Sequence, residues 1–160
     1  SKFGQIYIAN DNAEGQIVLS GEINAIEYIL SNKKKLAIRK AVQLPVSASF
    51  HCSLMSHASK KLGEKIKNIN FNNFDVPLYS NVTSRPCSEK EIGDLLIRQV
   101  TSKVRWREII ENMISDEFYR FIEIGPGNVL TNLVKRISKE VKAISISKLS
   151  DLDNFSNVII

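Results

Sequence analysis

The sequence predicts an α/β protein made of two unequal pieces, and three observations lead there. The first forty or so residues give strand, strand, helix and strand signals, the order of most of a split βαβ sandwich. Beyond His51 helical and strand patterns alternate, which favours a layered sheet with helices packed on its faces. With 160 residues, 43% of them hydrophobic and 24% charged, the chain is long enough for one ordinary core or two small lobes.

Ile6-Tyr7-Ile8-Ala9 and Gln16-Ile17-Val18-Leu19-Ser20 read as short strands of an antiparallel hairpin, joined by the polar loop Asn10-Asp11-Asn12-Ala13-Glu14-Gly15. Gly21 ends the second strand. Ile23, Ile26, Ile29 and Leu30 then recur at helical spacing up to Lys33-Lys34-Lys35. A further strand over residues 36–44 leads to Pro45 and places His51 at a strand end, just before a helix. Leu54, Ala58, Leu62, Ile66 and Ile69 form the stripe of that helix, and residues 76–80 a short strand. Ile92, Leu95, Leu96, Gln99 and Val100 mark another helix, with the Gln99 amide on an apolar face where it must find partners. A third helix is expected from Trp106 to Ser115, then a strand over residues 119–124. Gly125-Pro126-Gly127 turns the chain into a helix carrying Val129, Leu130, Leu133, Val134 and Ile137, and a last strand over residues 142–146 precedes a polar tail.

Several classes are disfavoured. No apolar run approaches the roughly 20 residues that span a bilayer, and the start lacks a signal-peptide core, so no membrane role and a cytoplasmic location are expected. Cys52 and Cys87 fit no zinc spacing and are expected as free thiols, with no metal. Although Cys52 follows His51, adjacent residues do not face each other, so a Cys–His pair is not expected. The net charge of +5 is modest; the lysine run reads as a solvated helix end, and no nucleic-acid motif accompanies it.

His51 is the strongest candidate for chemistry, since histidine can take a proton from a hydroxyl and return it to a leaving group. The plainer alternative is a satisfied core or capping histidine. His57, on a polar helix face, reads as surface. Gly125-Pro126-Gly127 is either a tight turn or a phosphate cradle at a helix N-terminus. Asn10, Asn12 and Gln16 have amides that can meet a polar ligand or satisfy their own loop. No G-x-S-x-G turn occurs, so a base at His51 has no nucleophile to serve within these residues.

The order of several motifs bears on these alternatives. Ile8-Ala9-Asn10-Asp11-Asn12-Ala13-Glu14-Gly15-Gln16-Ile17-Val18-Leu19-Ser20-Gly21 is followed by Pro45-Val46-Ser47 and Phe50-His51-Cys52-Ser53-Leu54-Met55. Next come Val76-Pro77-Leu78-Tyr79-Ser80-Asn81-Val82 and Arg98-Gln99-Val100-Thr101-Ser102-Lys103-Val104-Arg105-Trp106, then Phe121-Ile122-Glu123-Ile124-Gly125-Pro126-Gly127-Asn128-Val129-Leu130. Together they resemble the malonyl-CoA:acyl carrier protein transacylases, along essentially the whole chain. Ala13-Glu14-Gly15 departs from the many relatives that carry a proline there, a loop substitution.

The resemblance implies a partial α/β-hydrolase-like acyltransferase domain over residues 47–160 and part of a ferredoxin-like small subdomain over residues 1–46. It implies the C-terminal segment of such an enzyme, without the half that holds the G-H-S-x-G serine, the oxyanion-hole glutamine and the malonyl-pairing arginine. His51 is then the general base, the backbone carbonyl of Gln99 its orienting group, and Asn12 a residue of the malonyl pocket. The substrates are malonyl-CoA and the phosphopantetheine thiol of acyl carrier protein, with no tightly bound cofactor. The partners are acyl carrier protein, the coenzyme A thioester and the N-terminal half, without which the chain is expected to be inactive. Two rivals remain at this stage: a non-enzymatic module that docks acyl carrier protein through Lys103, Arg105 and Arg107, and a related serine thioesterase or hydrolase.

Overall fold

A computed structural model describes residues 3–155. Its elements alternate as an α/β protein: β1 Ile6–Ala13, β2 Gln16–Gly21, α1 Ile23–Asn32, a 3-10 helix Ser53–Met55, α2 Ser56–Ile66, β3 Leu78–Tyr79, β4 Pro86–Cys87, α3 Ile92–Gln99, α4 Trp106–Ser115, β5 Arg120–Ile124, α5 Val129–Ile137, β6 Lys142–Ile146 and a 3-10 helix Leu149–Asn154. The strands form three separate pairs: β1–β2 and β3–β4 antiparallel, β5–β6 parallel across α5. The polar tail expected after residue 146 therefore contains a helical turn, and residues 156–160 lie outside the described range.

The opening hairpin is longer than its sequence suggests. Residues 10–13, expected as loop, continue β1, and only Glu14 and Gly15 turn. Register shifts leave Ala9 and Asn12 as extra residues on β1, bulges that bend and twist the strand. The bend carries β1 to the segment before α4: Val104 N–H donates to Ala9 O at 2.8 Å and Asp11 N–H to Val104 O at 2.9 Å. At the other end, a Cβ on Gly21 would sit 2.4 Å from Gln5 O, so the strands approach as only glycine allows.

The strand expected over residues 36–44 is absent; the segment after Ala37 is irregular up to the turn at His51. A strand needs a neighbour for its N–H and C=O groups, and no described strand pairs with this stretch. Val42 and Leu44 remain 67% and 50% exposed. His51 consequently lies in a turn before a 3-10 helix, not at a strand end.

The main core joins α4, α5 and the β5–β6 pair. Ile110, Val134, Val141 and Ala143 are buried there, with Trp106, Met113, Ile114, Phe121 and Ile137 packed against them. Trp106, Ile110, Met113 and Ile114 of α4 and Val134 and Ile137 of α5 are the apolar positions that helical spacing puts on one stripe of each helix. A second contact sets α2 on α3, where Gly63 lets Ile97 come close and Ile66, Ile92 and Leu95 are buried.

Candidate active site

The segment ahead of His51 is tied to the hairpin. Ser49 Oγ donates to Gly21 O at 2.7 Å, and the buried Cys52 thiol donates to Ser49 O at 3.0 Å. Ser53 Oγ donates to the Tyr7 hydroxyl at 2.7 Å, and that hydroxyl donates to Gln5 Oε1 at 2.8 Å. Between these anchors His51 adopts φ 58°, in the left-handed region, before Cys52 returns to extended geometry at φ −149° and ψ 171°. A non-glycine residue there costs about 1–2 kcal/mol, and its neighbours hold it in place.

The turn points the half-buried ring of His51 at the end of α3, where Nδ1 lies 3.1 Å from Gln99 O. A carbonyl can only accept, so Nδ1 carries the hydrogen, and in the neutral ring Nε2 is left with its lone pair. Gln99 closes α3, and the last carbonyls of a helix have no partner within it. That is why this carbonyl is available; it also receives Ser102 N–H at 3.3 Å. The Gln99 side chain is half-buried, with Oε1 3.5 Å from Asn81 Nδ2, the outer limit of a hydrogen bond.

The other sequence candidates separate. Asn12 sits half-buried at the second bulge of β1. Gln16 is engaged: Arg136 donates to its Oε1 at 2.8 Å and to Glu14 O at 2.9 Å, pinning the hairpin tip to α5. Gln16 thus serves the hairpin, and the Asn10 backbone forms a bridge with Val104. His57 is exposed on α2. Cys52 and Cys87 are free thiols, and Cys52 turns to Ser49 instead of His51.

Gly125 and Gly127 adopt φ 143° and 90°, the turn that this pair permits. The N-terminus of α5 already holds an anion, because Glu123 accepts from Leu130 N–H at 3.1 Å and Thr131 N–H at 2.8 Å. Burial works against the charge on Glu123, but these amide bonds keep its carboxyl below the usual range. Two of the amides at this helix end, those of Leu130 and Thr131, are thereby taken by a carboxylate.

Sequence reasoning missed a charge cluster between β1 and α4. Asp11 takes two bonds from Arg107, Nε at 3.1 Å and Nη2 at 2.7 Å, and Arg107 also reaches Glu111 at 3.5 Å. The Arg107 bonds hold the Asp11 carboxyl below its ordinary value. Glu108 is likewise lowered, chiefly by Arg105, which chelates it and donates to Val82 O at 2.9 Å; Lys103 lies 3.8 Å from Glu108. Reading residues 10–15 as loop hid Asp11, and no local spacing signals a partner 96 residues away. Lys103, Arg105 and Arg107, the cations of the docking rival, all face carboxylates.

No group of His, Cys, Asp and Glu among the described residues could hold a metal ion, and no helix among them is long and apolar enough to cross a membrane. One cavity of about 80 Å³ is lined by Trp106, Phe121 and Thr131 among others, and a more open one of about 430 Å³ lies between Asn73 and Glu89; neither includes His51.

No protein-family model matches the chain. It is 39% identical over 143 residues to the malonyl CoA-acyl carrier protein transacylase of Bacillus subtilis, covering 89% of this chain and 45% of that protein. It superposes on an acyl-carrier-protein-S-malonyltransferase from Bartonella henselae with a TM-score of 0.92 at 39% identity, over 99% of this chain and 51% of the other. A second structure, of a type II PKS acyl-carrier protein in complex with its malonyl-transacylase, matches at 32% identity with a TM-score of 0.90, over 94% of this chain and 49% of that one. The chain spans about half the length of the relatives it matches. In sequence and in fold the chain is similar to about half of a malonyl-CoA:acyl carrier protein transacylase.

Proposed function

We propose that the chain is the C-terminal part of an enzyme that moves malonyl from malonyl-CoA to the phosphopantetheine thiol of acyl carrier protein, and that His51 is its general base. The observation that carries this reading is the His51 Nδ1 to Gln99 O bond of 3.1 Å, because it fixes the tautomer that leaves Nε2 free to accept a proton. A serine supplied from outside these residues gives its proton to Nε2 as its oxygen attacks the thioester carbonyl. The ring then protonates the departing CoA thiolate, completing the malonyl-serine ester. In the second half-reaction His51 takes the proton of the phosphopantetheine thiol, and the thiolate attacks the ester. The serine recovers its proton from the ring.

The Gln99 carbonyl, at the negative end of α3, stabilises the ring while it holds the proton, though less than a carboxylate would. Asn12, placed by its bulge, contributes its amide to the malonyl pocket. Residues 1–46, with the β1–β2 hairpin and α1, belong to a ferredoxin-like lobe, and residues 47–160, with the parallel β5–β6 pair, to a hydrolase-like domain. The enzyme works in the cytoplasm with no bound cofactor.

Malonyl transfer to carrier protein by the 160 residues alone is expected to be undetectable, and to return when the serine-bearing half is supplied. A verified preparation of this chain that turns over by itself overturns the reading.

A further inference from the structure

No helix or strand lies between Asn32 and Ser53, nor between Gln99 and Trp106. His51 and the carbonyl that meets it therefore stand in, or at the start of, irregular chain, where side-chain and loop bonds must replace a ladder or a helical turn. Those bonds converge on one element. On the His51 side, Ser49 Oγ donates to Gly21 O at the end of β2, and Ser53 Oγ donates to the Tyr7 hydroxyl on β1. On the Gln99 side, Val104 is bonded to Ala9 and Asp11 of β1, and the Asp11 carboxylate accepts two bonds from Arg107 in the first turn of α4. The hairpin is itself fixed, since Arg136 of α5 donates to Gln16 and Glu14 at its tip.

Two residues stand out. The half-buried Ser49 uses two polar groups around His51: its hydroxyl reaches the hairpin, and its carbonyl accepts from the buried thiol of Cys52. These bonds enclose the left-handed backbone of His51 at φ 58°, so the direction of the ring follows from where Ser49 is held. Asp11 is the counterpart. Its N–H donates to Val104 O and its carboxylate holds Arg107, so it grips the chain on both sides of Arg105, in the link that follows Gln99.

We propose that the β1–β2 hairpin sets the His51–Gln99 bond, with Ser49 the positioning residue for the ring and Asp11 the positioning residue for the carbonyl; this rests on the reading of His51 as general base. Without a common mount the turn at His51 and the link after α3 move separately, and a bond already at 3.1 Å weakens with little further separation. A loosened bond lets the ring populate its other tautomer, in which Nε2 carries the hydrogen and cannot accept a proton. Ser49 belongs to neither the base nor the malonyl pocket, so its loss falls on the rate of transfer and not on the binding of malonyl-CoA. Asp11 neighbours Asn12, and its effect is read from the tautomer. The competing mount is the contact of α2 with α3, where Ser59 Oγ donates to Ile97 O at 2.9 Å. That contact begins beyond the 3-10 helix that follows His51 and leaves the left-handed turn outside it.

The test compares Ser49→Thr with Ser49→Val in the complete protein, two side chains of one shape that differ by the hydroxyl. Asp11→Ala and Ser59→Ala are made beside them. Transfer to carrier protein and the KM for malonyl-CoA are measured, and NMR of the ring nitrogens reads the tautomer of His51. Ser49→Thr is expected to stay within about twofold of the parent kcat, with the hydrogen on Nδ1. Ser49→Val is expected to lower kcat about tenfold, the order of one hydrogen bond, with the KM for malonyl-CoA within about twofold and the Nε2–H tautomer appearing. Asp11→Ala should bring out the same tautomer. Combined with Ser49→Val it should lower kcat by less than the product of the two losses, because both act through one bond, whereas unconnected sites would multiply. A Ser49→Val enzyme with either its rate or its tautomer unchanged overturns the proposal, and so does an Asp11→Ala enzyme whose ring keeps its hydrogen on Nδ1. A tautomer that answers to Ser59→Ala and not to the other two assigns the mount to α2 and α3 instead. If the unmodified protein transfers malonyl to no thiol, the transacylase reading fails, and the tautomer alone then decides whether the hairpin holds the ring.

Discussion

At His51 two local facts combine: a left-handed backbone and a ring held by a main-chain carbonyl. They call for different substitutions. In the complete enzyme His51→Ala is expected to slow malonyl transfer at least about a hundredfold, the low end for a general base. His51→Asn is the fold control, because asparagine tolerates positive φ; it is expected to be as slow while melting close to the parent. Gln99→Ala keeps the carbonyl and is expected to stay within about tenfold of the parent rate, well short of the loss of a general base. Single-turnover transfer rates check all three, and a Gln99→Ala enzyme as impaired as the His51→Ala one would move the role from the Gln99 backbone to its side chain. From the sequence, His51 was legible as a histidine of interest, but its setting was not. Residues 36–44 read as a strand, yet the segment has no ladder partner among the described strands.

Among the elements, those whose hydrogen bonds close internally were the readable ones. The span of α4 is as its spacing predicts, and α3, α5 and β6 fall where their apolar stripes lie. The hairpin was misjudged because Asn10, Asp11 and Asn12 are loop-like residues. They continue β1 because bulges and the bond to Val104 hold them there. The β3–β4 pair, with strands of two residues each, is too short for any period to show. Asp11 joins β1 to α4 through Arg107, and its carboxyl lies below its ordinary value of 3.8. The folded chain thus binds fewer protons than the unfolded one near that value. The resulting stabilisation is complete above the unfolded range and is lost as pH falls through the lowered folded value. Asp11→Asn is expected to lower the Tm at neutral pH by about 2–4 °C, the shift typical of a modest stability loss in a domain of this size. It should also narrow the gap between melts at neutral pH and near pH 3, below the ordinary value of 3.8, where the unfolded chain takes up the proton. Parallel melting curves for parent and variant at both pH values would show the Asp11–Arg107 pair to be merely solvated.

For the whole molecule, the β5–β6 pair leaves an apolar face open. Ile122 and Ile124 are 39% and 83% exposed, next to Ile144 and Ile146 in register, and Val129 and Leu149 stand 66% and 85% exposed nearby in sequence. Among the described strands β5 pairs only with β6, so its other edge has backbone groups to offer. The isolated chain is expected to bind a hydrophobic dye and to associate as its concentration rises, and both effects should fade when the complementary half is added. Light scattering and dye fluorescence check this; a dye-free monomer would mean that the face is covered in some other way. The sequence places these isoleucines in strands over residues 119–124 and 142–146, but a strand signal does not say whether its face is covered. In a living cell such a face is what chaperones and proteases recognise on a nascent polypeptide. The lifetime of this chain, and so its abundance, would then be set by how soon something settles on Ile124.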